Sequence, residues 1–119
     1  MNMNLTFEEK FNALGEYYNI ETPEEISQMI KNNENLFILL DEIKPYLEES
    51  FDDARYNLRI NFEPEYDFQI IILRLDVSQE RFHNGIGDEI RSLEFKIWDL
   101  EKRLNLLREL LIMPGLLNV

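Results

Sequence analysis

The clearest pattern along the chain is an apolar seam. Ile86, Ile90, Leu93, Ile97, Leu100, Leu104, Leu107 and Leu111 are separated alternately by four and three positions, the 3.5-residue repeat that lines one side of a helix. This spacing predicts one long C-terminal helix over about 88–112. Asp88 and Glu89 sit at its start and Lys102, Arg103 and Arg108 near its end, which suits the helix dipole, and Pro114-Gly115 closes it. Phe95, Leu106, Leu110 and Met113 fall roughly opposite the seam. The end of this helix is therefore expected to be buried on two sides, against its own domain or against a second protein surface. A parallel zipper would set Glu89 on Glu94 and Arg103 on Arg108, with only Lys96 and Glu101 attracting, and is disfavoured.

Three shorter helices are predicted ahead of it. Thr6 and Glu9 form a capping box before Phe7, Phe11, Leu14 and Tyr18. Thr22-Pro23-Glu24-Glu25 starts a second helix that buries Ile26, Met29 and Ile30. Leu36, Leu40, Ile43, Leu47 and Phe51 mark a third, in which Pro45 is expected to produce a kink.

Between these helices and the seam the period changes to two. Residues 55–62 alternate polar and apolar without a fault, as a half-buried strand does. Residues 68–77 are apolar on both faces, with Ile71, Leu73, Leu75 and Val77 on one and Phe68, Ile70 and Ile72 on the other. Such a strand is usually covered on both faces or central in a sheet. The two strands predict an antiparallel β-hairpin turning over residues 63–67, followed by a short helix from Ser78 to Phe82. The reading is an α+β fold in a single domain spanning residues 1–119. Two strands and a helix apolar on two sides leave more apolar surface than three short helices readily cover. A homodimer is expected on that account, through antiparallel helix packing or a joined sheet.

Composition narrows the function more than it identifies it. With no cysteine, disulfides, thiolate nucleophiles and cysteine zinc sites are excluded. No apolar run approaches the roughly 18 residues of a membrane span, and the start of the chain lacks a signal-peptide pattern. A soluble cytoplasmic protein is expected. The net charge of −12 is concentrated in residues 1–53, with 13 acidic against 3 basic residues. This disfavours direct binding to nucleic acid or anionic membrane and points to a basic protein partner. The cluster Glu48, Glu49, Asp52 and Asp53 is its natural contact, with Phe95, Leu106 and Leu110 as apolar partner-binding candidates.

Motifs for chemistry are sparse. Glu63, Glu65 and Asp67 alternate as a hard cation would require, but an EF-hand needs Gly and Glu where Phe68 and Arg74 stand. His83, the sole histidine, has Glu80 and Asp88 nearby in sequence. Gly85-Ile86-Gly87 lacks the lysine of a phosphate loop and is followed by two acids. No catalytic, metal or cofactor set is assigned.

The order PEEI, LLDEIKPYLEESF, LRINFEPEYDFQIIILRLDVSQE, over about residues 23–80, resembles a group of small prokaryotic proteins without an assigned activity. In that group a helix leads to a strand, an acidic Pro-containing turn, a second strand and a Ser-initiated helix. This chain lacks the paired tryptophans that follow the second strand there. The resemblance implies a helix–strand–turn–strand–helix core and a setting beside a partner gene, as in toxin–antitoxin pairs. The expected function is therefore a non-enzymatic protein-interaction or regulatory protein, antitoxin or immunity-like. The alternative is a small hydrolase or ligand-binding protein using carboxylates near the hairpin turn.

Overall fold

A computed structural model describes residues 6–63 and 68–117. Its helices are α1 (Phe7–Tyr17), α2 (Pro23–Asn32), α3 (Glu34–Glu42), α4 (Lys44–Phe51), the single turn α5 (Gln79–Phe82) and α6 (Ile86–Arg103). Its strands are β1 (Asn19–Ile20), β2 (Arg55–Glu63), β3 (Phe68–Val77) and β4 (Leu110–Leu116). The class is α+β, but the architecture corrects the expected hairpin and long helix. β2 and β3 are the centre of a four-stranded mixed sheet of order β1-β2-β3-β4, in which only β2 and β3 run antiparallel.

The largest correction lies at the C-terminal end. α6 stops at Arg103, and residues that would have completed the seam form β4 instead. Asn105 takes a left-handed conformation with φ of 57°. Its N–H bonds to the Lys102 carbonyl and that of Leu106 to the Glu101 carbonyl, the paired bonds that end a helix at an Asn or Gly. Beyond the stop the period changes to two. Leu110 and Ile112 are buried against the helices while Leu111 and Met113 are exposed on the other side. Leu107, a seam position in a continuous helix, is 85 % exposed. Leu106 and Leu110 belong to the core rather than to the opposite side of a helix.

The third N-terminal helix is also two. Pro45 lacks the N–H that would bond the Asp41 carbonyl, so the chain breaks at Ile43 and Pro45 occupies the first turn of α4. Thr6 caps α1, its hydroxyl accepting from the Glu9 N–H at 3.2 Å.

The helices pack on one side of the sheet. Leu58, Ile71, Leu73, Leu75, Val77, Leu110 and Ile112 face them and join one core with Ile26, Leu40, Leu47, Phe51, Ile90, Leu93, Ile97 and Leu100. β3 is central: on its helical face Leu73 pairs with Leu58 on one neighbour and Ile112 on the other, and on the opposite face Ile72 lies between Arg59 and Leu111. No helix among the described residues is long and apolar enough to cross a membrane.

Candidate functional site

The strict alternation of residues 55–62 places Arg55, Asn57, Arg59 and Asn61 on the side of the sheet away from the helical core. Register sets Arg59 beside Ile72 and Ile72 beside Leu111. The next row runs Asn19, Asn57, Arg74 and Met113, and the last runs Arg55, Asp76 and Gly115. This face therefore carries arginines and amides on β1 and β2, the Arg74 and Asp76 side chains with Ile70 and Ile72 on β3, and Leu111 and Met113 on β4.

A fixed polar network occupies its middle. Asn57 is 1 % exposed; its amide donates to the Asp76 carboxylate at 3.0 Å, and its carbonyl oxygen accepts from the Asn19 amide at 2.9 Å. Arg74 donates through Nε to Asp76 at 2.8 Å and through both Nη atoms to Glu21, at 3.2 and 3.0 Å. These hydrogen bonds, to Asp76 first and Glu21 second, push the guanidinium still further from deprotonation. The Asp76 carboxylate, the buried acid of this network, is thereby satisfied by Asn57 and Arg74, which offsets its desolvation. Gly115 makes room for it: a Cβ there would collide with Oδ1 of Asp76 and lie 2.9 Å from Cδ of Arg74.

Two further arginines share this face. Among the described residues, Arg55 and Arg59 form no ion pair. Nε of Arg59 is buried without an acceptor, although a desolvated donor normally finds one. Ile70 is half-buried and Ile72 buried beside them, while Leu111 and Met113 are each 39 % exposed.

A tyrosine cleft adjoins Arg55. Tyr17 stacks on Tyr56 at 5.4 Å, and Tyr18 meets Tyr17 edge-on at 4.9 Å. The cleft, about 580 Å³, is lined by these rings with Gly15, Glu16, Asn19, Ala54 and Arg55. The hydroxyls are already committed. Tyr18 donates to the Leu40 carbonyl at 2.6 Å, Tyr56 to that of Phe51 at 2.8 Å, and Tyr17 to that of Lys44 at 3.3 Å. Burial raises all three phenol pKa values, so they act as neutral donors tying the sheet to α3 and α4.

At the turn from α6 into β4, Arg108 stacks over Trp98 at 4.8 Å, and Phe95 meets Trp98 edge-on at 5.4 Å. Beneath them Glu101 is 2 % exposed. One of its oxygens accepts from the Glu109 N–H at 3.2 Å and the other has no partner. Burial raises the pKa of both Glu101 and Glu109.

The residues singled out from sequence are dispersed. Glu48, Glu49, Asp52 and Asp53 are exposed on and after α4. Asp53 is bound by Nη1 of Arg81 at 2.7 Å, in a clamp that also takes Glu89 and the Ser50 carbonyl. Phe95 is exposed, whereas Leu106 and Leu110 are buried. His83 is exposed after α5, its ring edge-on to Phe82. The turn carboxylates Glu65 and Asp67, and the Glu63 side chain, lie outside the described residues. Sequence reasoning missed Arg55, Asn57, Arg59, Arg74, Asp76 and Gly115 as a group. The alternation of residues 55–62 did carry part of the signal, since it put two arginines on one face. Compared with known proteins, the chain matches no family model, no curated protein and no solved structure.

Proposed function

We propose that this chain is a non-enzymatic interaction module that docks a protein partner across the uncovered face of its sheet. It would act by occupying that partner, as an antitoxin or immunity protein does. The observation carrying this reading is the meeting, on one face, of two arginines without an ion pair among the described residues, Arg55 and Arg59, with the aliphatic strip of Ile72, Leu111 and Met113. Arginine beside apolar side chains is the composition of interface centres. The rigid Asn57–Asp76–Arg74 network beneath them holds the face in one shape, which lowers the ordering cost of binding.

Affinity capture from the native host tests it, using the wild type, Met113→Asp, Arg59→Glu and the helical-side control Asp99→Arg. A partner retained by the wild type and by Asp99→Arg, and lost by both sheet variants, is the expected result. A partner that survives both sheet variants places the contact elsewhere.

A further inference from the structure

The chemistry of the uncovered face also selects its occupant. We propose that it receives an acidic segment of another protein, whose carboxylates bind Arg59 and Arg55 and whose aliphatic side chains rest on Leu111 and Met113. This inference rests on the interaction reading and adds the partner's charge to it.

Within a chain of net charge −12, the described residues of this face carry Arg55, Arg59 and Arg74 against Glu21 and Asp76. Arg74 already holds both acids. The two cations left over are those without an ion pair, and one of them has a buried N–H lacking an acceptor. A planar guanidinium in that state binds a carboxylate through two parallel hydrogen bonds, at a site where water solvates it poorly.

Other occupants fit less well. A second copy presented face to face about a twofold axis would bring the same groups. Its Glu21 and Asp76 are held by its own Arg74, so among the described residues of this face neither copy offers a free carboxylate. A nucleic acid gains affinity from many phosphate contacts; two arginines supply few, the aliphatic strip adds nothing to them, and the acidic remainder of the chain opposes them. A protein segment that mixes acidic and apolar side chains uses both the arginines and the aliphatic strip. Repulsion from the acids on α1, α2 and α4 is weakened by salt over roughly 8–10 Å.

Strand addition at the β4 edge is a poorer mode. Ile71 donates to the Glu109 carbonyl and Leu117 to that of Val77, so odd-numbered residues of this segment turn their backbone groups toward β3. Even-numbered ones face outward, and Pro114 interrupts that row of donors. The segment therefore lies over the face rather than extending the sheet.

A displayed library of random twelve-residue peptides, panned on the full chain, tests this with no natural partner in hand. Enriched peptides should carry an excess of Asp and Glu interleaved with Leu, Ile, Val, Met or Phe. Synthesised singly, they should bind Arg59→Gln about tenfold or more weakly. Arg55→Gln, at an exposed position, gives a second reading should Arg59→Gln disturb the fold, and should also weaken binding. Inorganic tripolyphosphate should compete poorly. Peptides lost on Met113→Asp but without acidic bias, or unaffected by both arginine variants, would overturn the acidic partner while leaving the face as an interaction surface. Peptides that bind Met113→Asp and both arginine variants unchanged, or no enrichment at all, would overturn the interaction reading itself. Equal competition by tripolyphosphate would replace the acidic segment with a general anion site.

Discussion

On the helical side of the sheet, Leu58, Ile71, Leu73, Leu75 and Val77 are wholly buried by side chains from the helices. On the opposite side the same strands present Arg55, Asn57, Arg59, Arg74 and Asp76, yet Asn57 and Ile72 are almost as inaccessible. The two faces reach burial by different means. One removes apolar area from water with a second layer of structure, which is the main source of stability. The other carries polar side chains held in place by hydrogen bonds from Asn57 and Arg74 to Asp76 and Glu21, which contribute little net stability but fix a shape. A face built that way is suited to recognition, because its groups are oriented before anything binds.

Substitutions should separate the two faces by size of effect. Leu73→Ala, on the covered face, should cost about 2–5 kcal/mol in a denaturant melt, and Leu100→Ala on the facing side of α6 a similar amount. Met113→Ala on the other face should cost less than about 1 kcal/mol. Equal losses at Leu73 and Met113 would mean that both faces are core.

Next in size, Gly115→Ala should cost about 1–3 kcal/mol, because the added methyl forces the Arg74–Asp76 pair to shift. Thermal unfolding measures this. A neutral outcome would show that the network is loose rather than a fixed support.

The smallest effect contrasts two buried acids. Asp76 accepts from Arg74 and Asn57, whereas one oxygen of Glu101 has no partner and burial raises its pKa. A carboxyl whose folded pKa is raised stabilises the fold fully below its unfolded value, and that contribution is lost as pH rises through the folded value. Glu101→Gln, which keeps an acceptor for the Glu109 N–H, should therefore raise the melting temperature at pH 7 relative to the wild type. The gap should close as pH falls toward 4. Asp76→Asn should lower the melting temperature at pH 7. A Glu101→Gln variant less stable than the wild type at pH 7 would mean that the ionised carboxylate is satisfied after all.

The legible parts of this molecule are those set by local chemistry. Thr6 with Glu9, Pro45 and the alternation of residues 55–62 act within a few residues of themselves, and each has its structural consequence. The long helix fails as an expectation because Leu104, Leu107 and Leu111 continue a spacing that Asn105 interrupts. A left-handed helix stop overrides periodicity, and Leu110 and Ile112 are buried by pairing with β3, some 40 residues earlier. The Arg74–Asp76–Glu21 network is not legible for the same reason. It joins segments distant in sequence, and only strand register brings them together. Glu48, Glu49, Asp52 and Asp53 stand out by adjacency alone, and the clamp from Arg81 to Asp53 shows how little adjacency says about availability.

The most direct test of the sheet face as the binding surface is photo-crosslinking in the native host. A photoreactive amino acid is placed singly at Leu111 on the uncovered face and at Arg91 on the exposed side of α6. The account predicts a discrete crosslinked protein from position 111 that disappears with Arg59→Glu in the same chain, and none from position 91. Crosslinking from position 91 alone, or from position 111 regardless of Arg59, would contradict it.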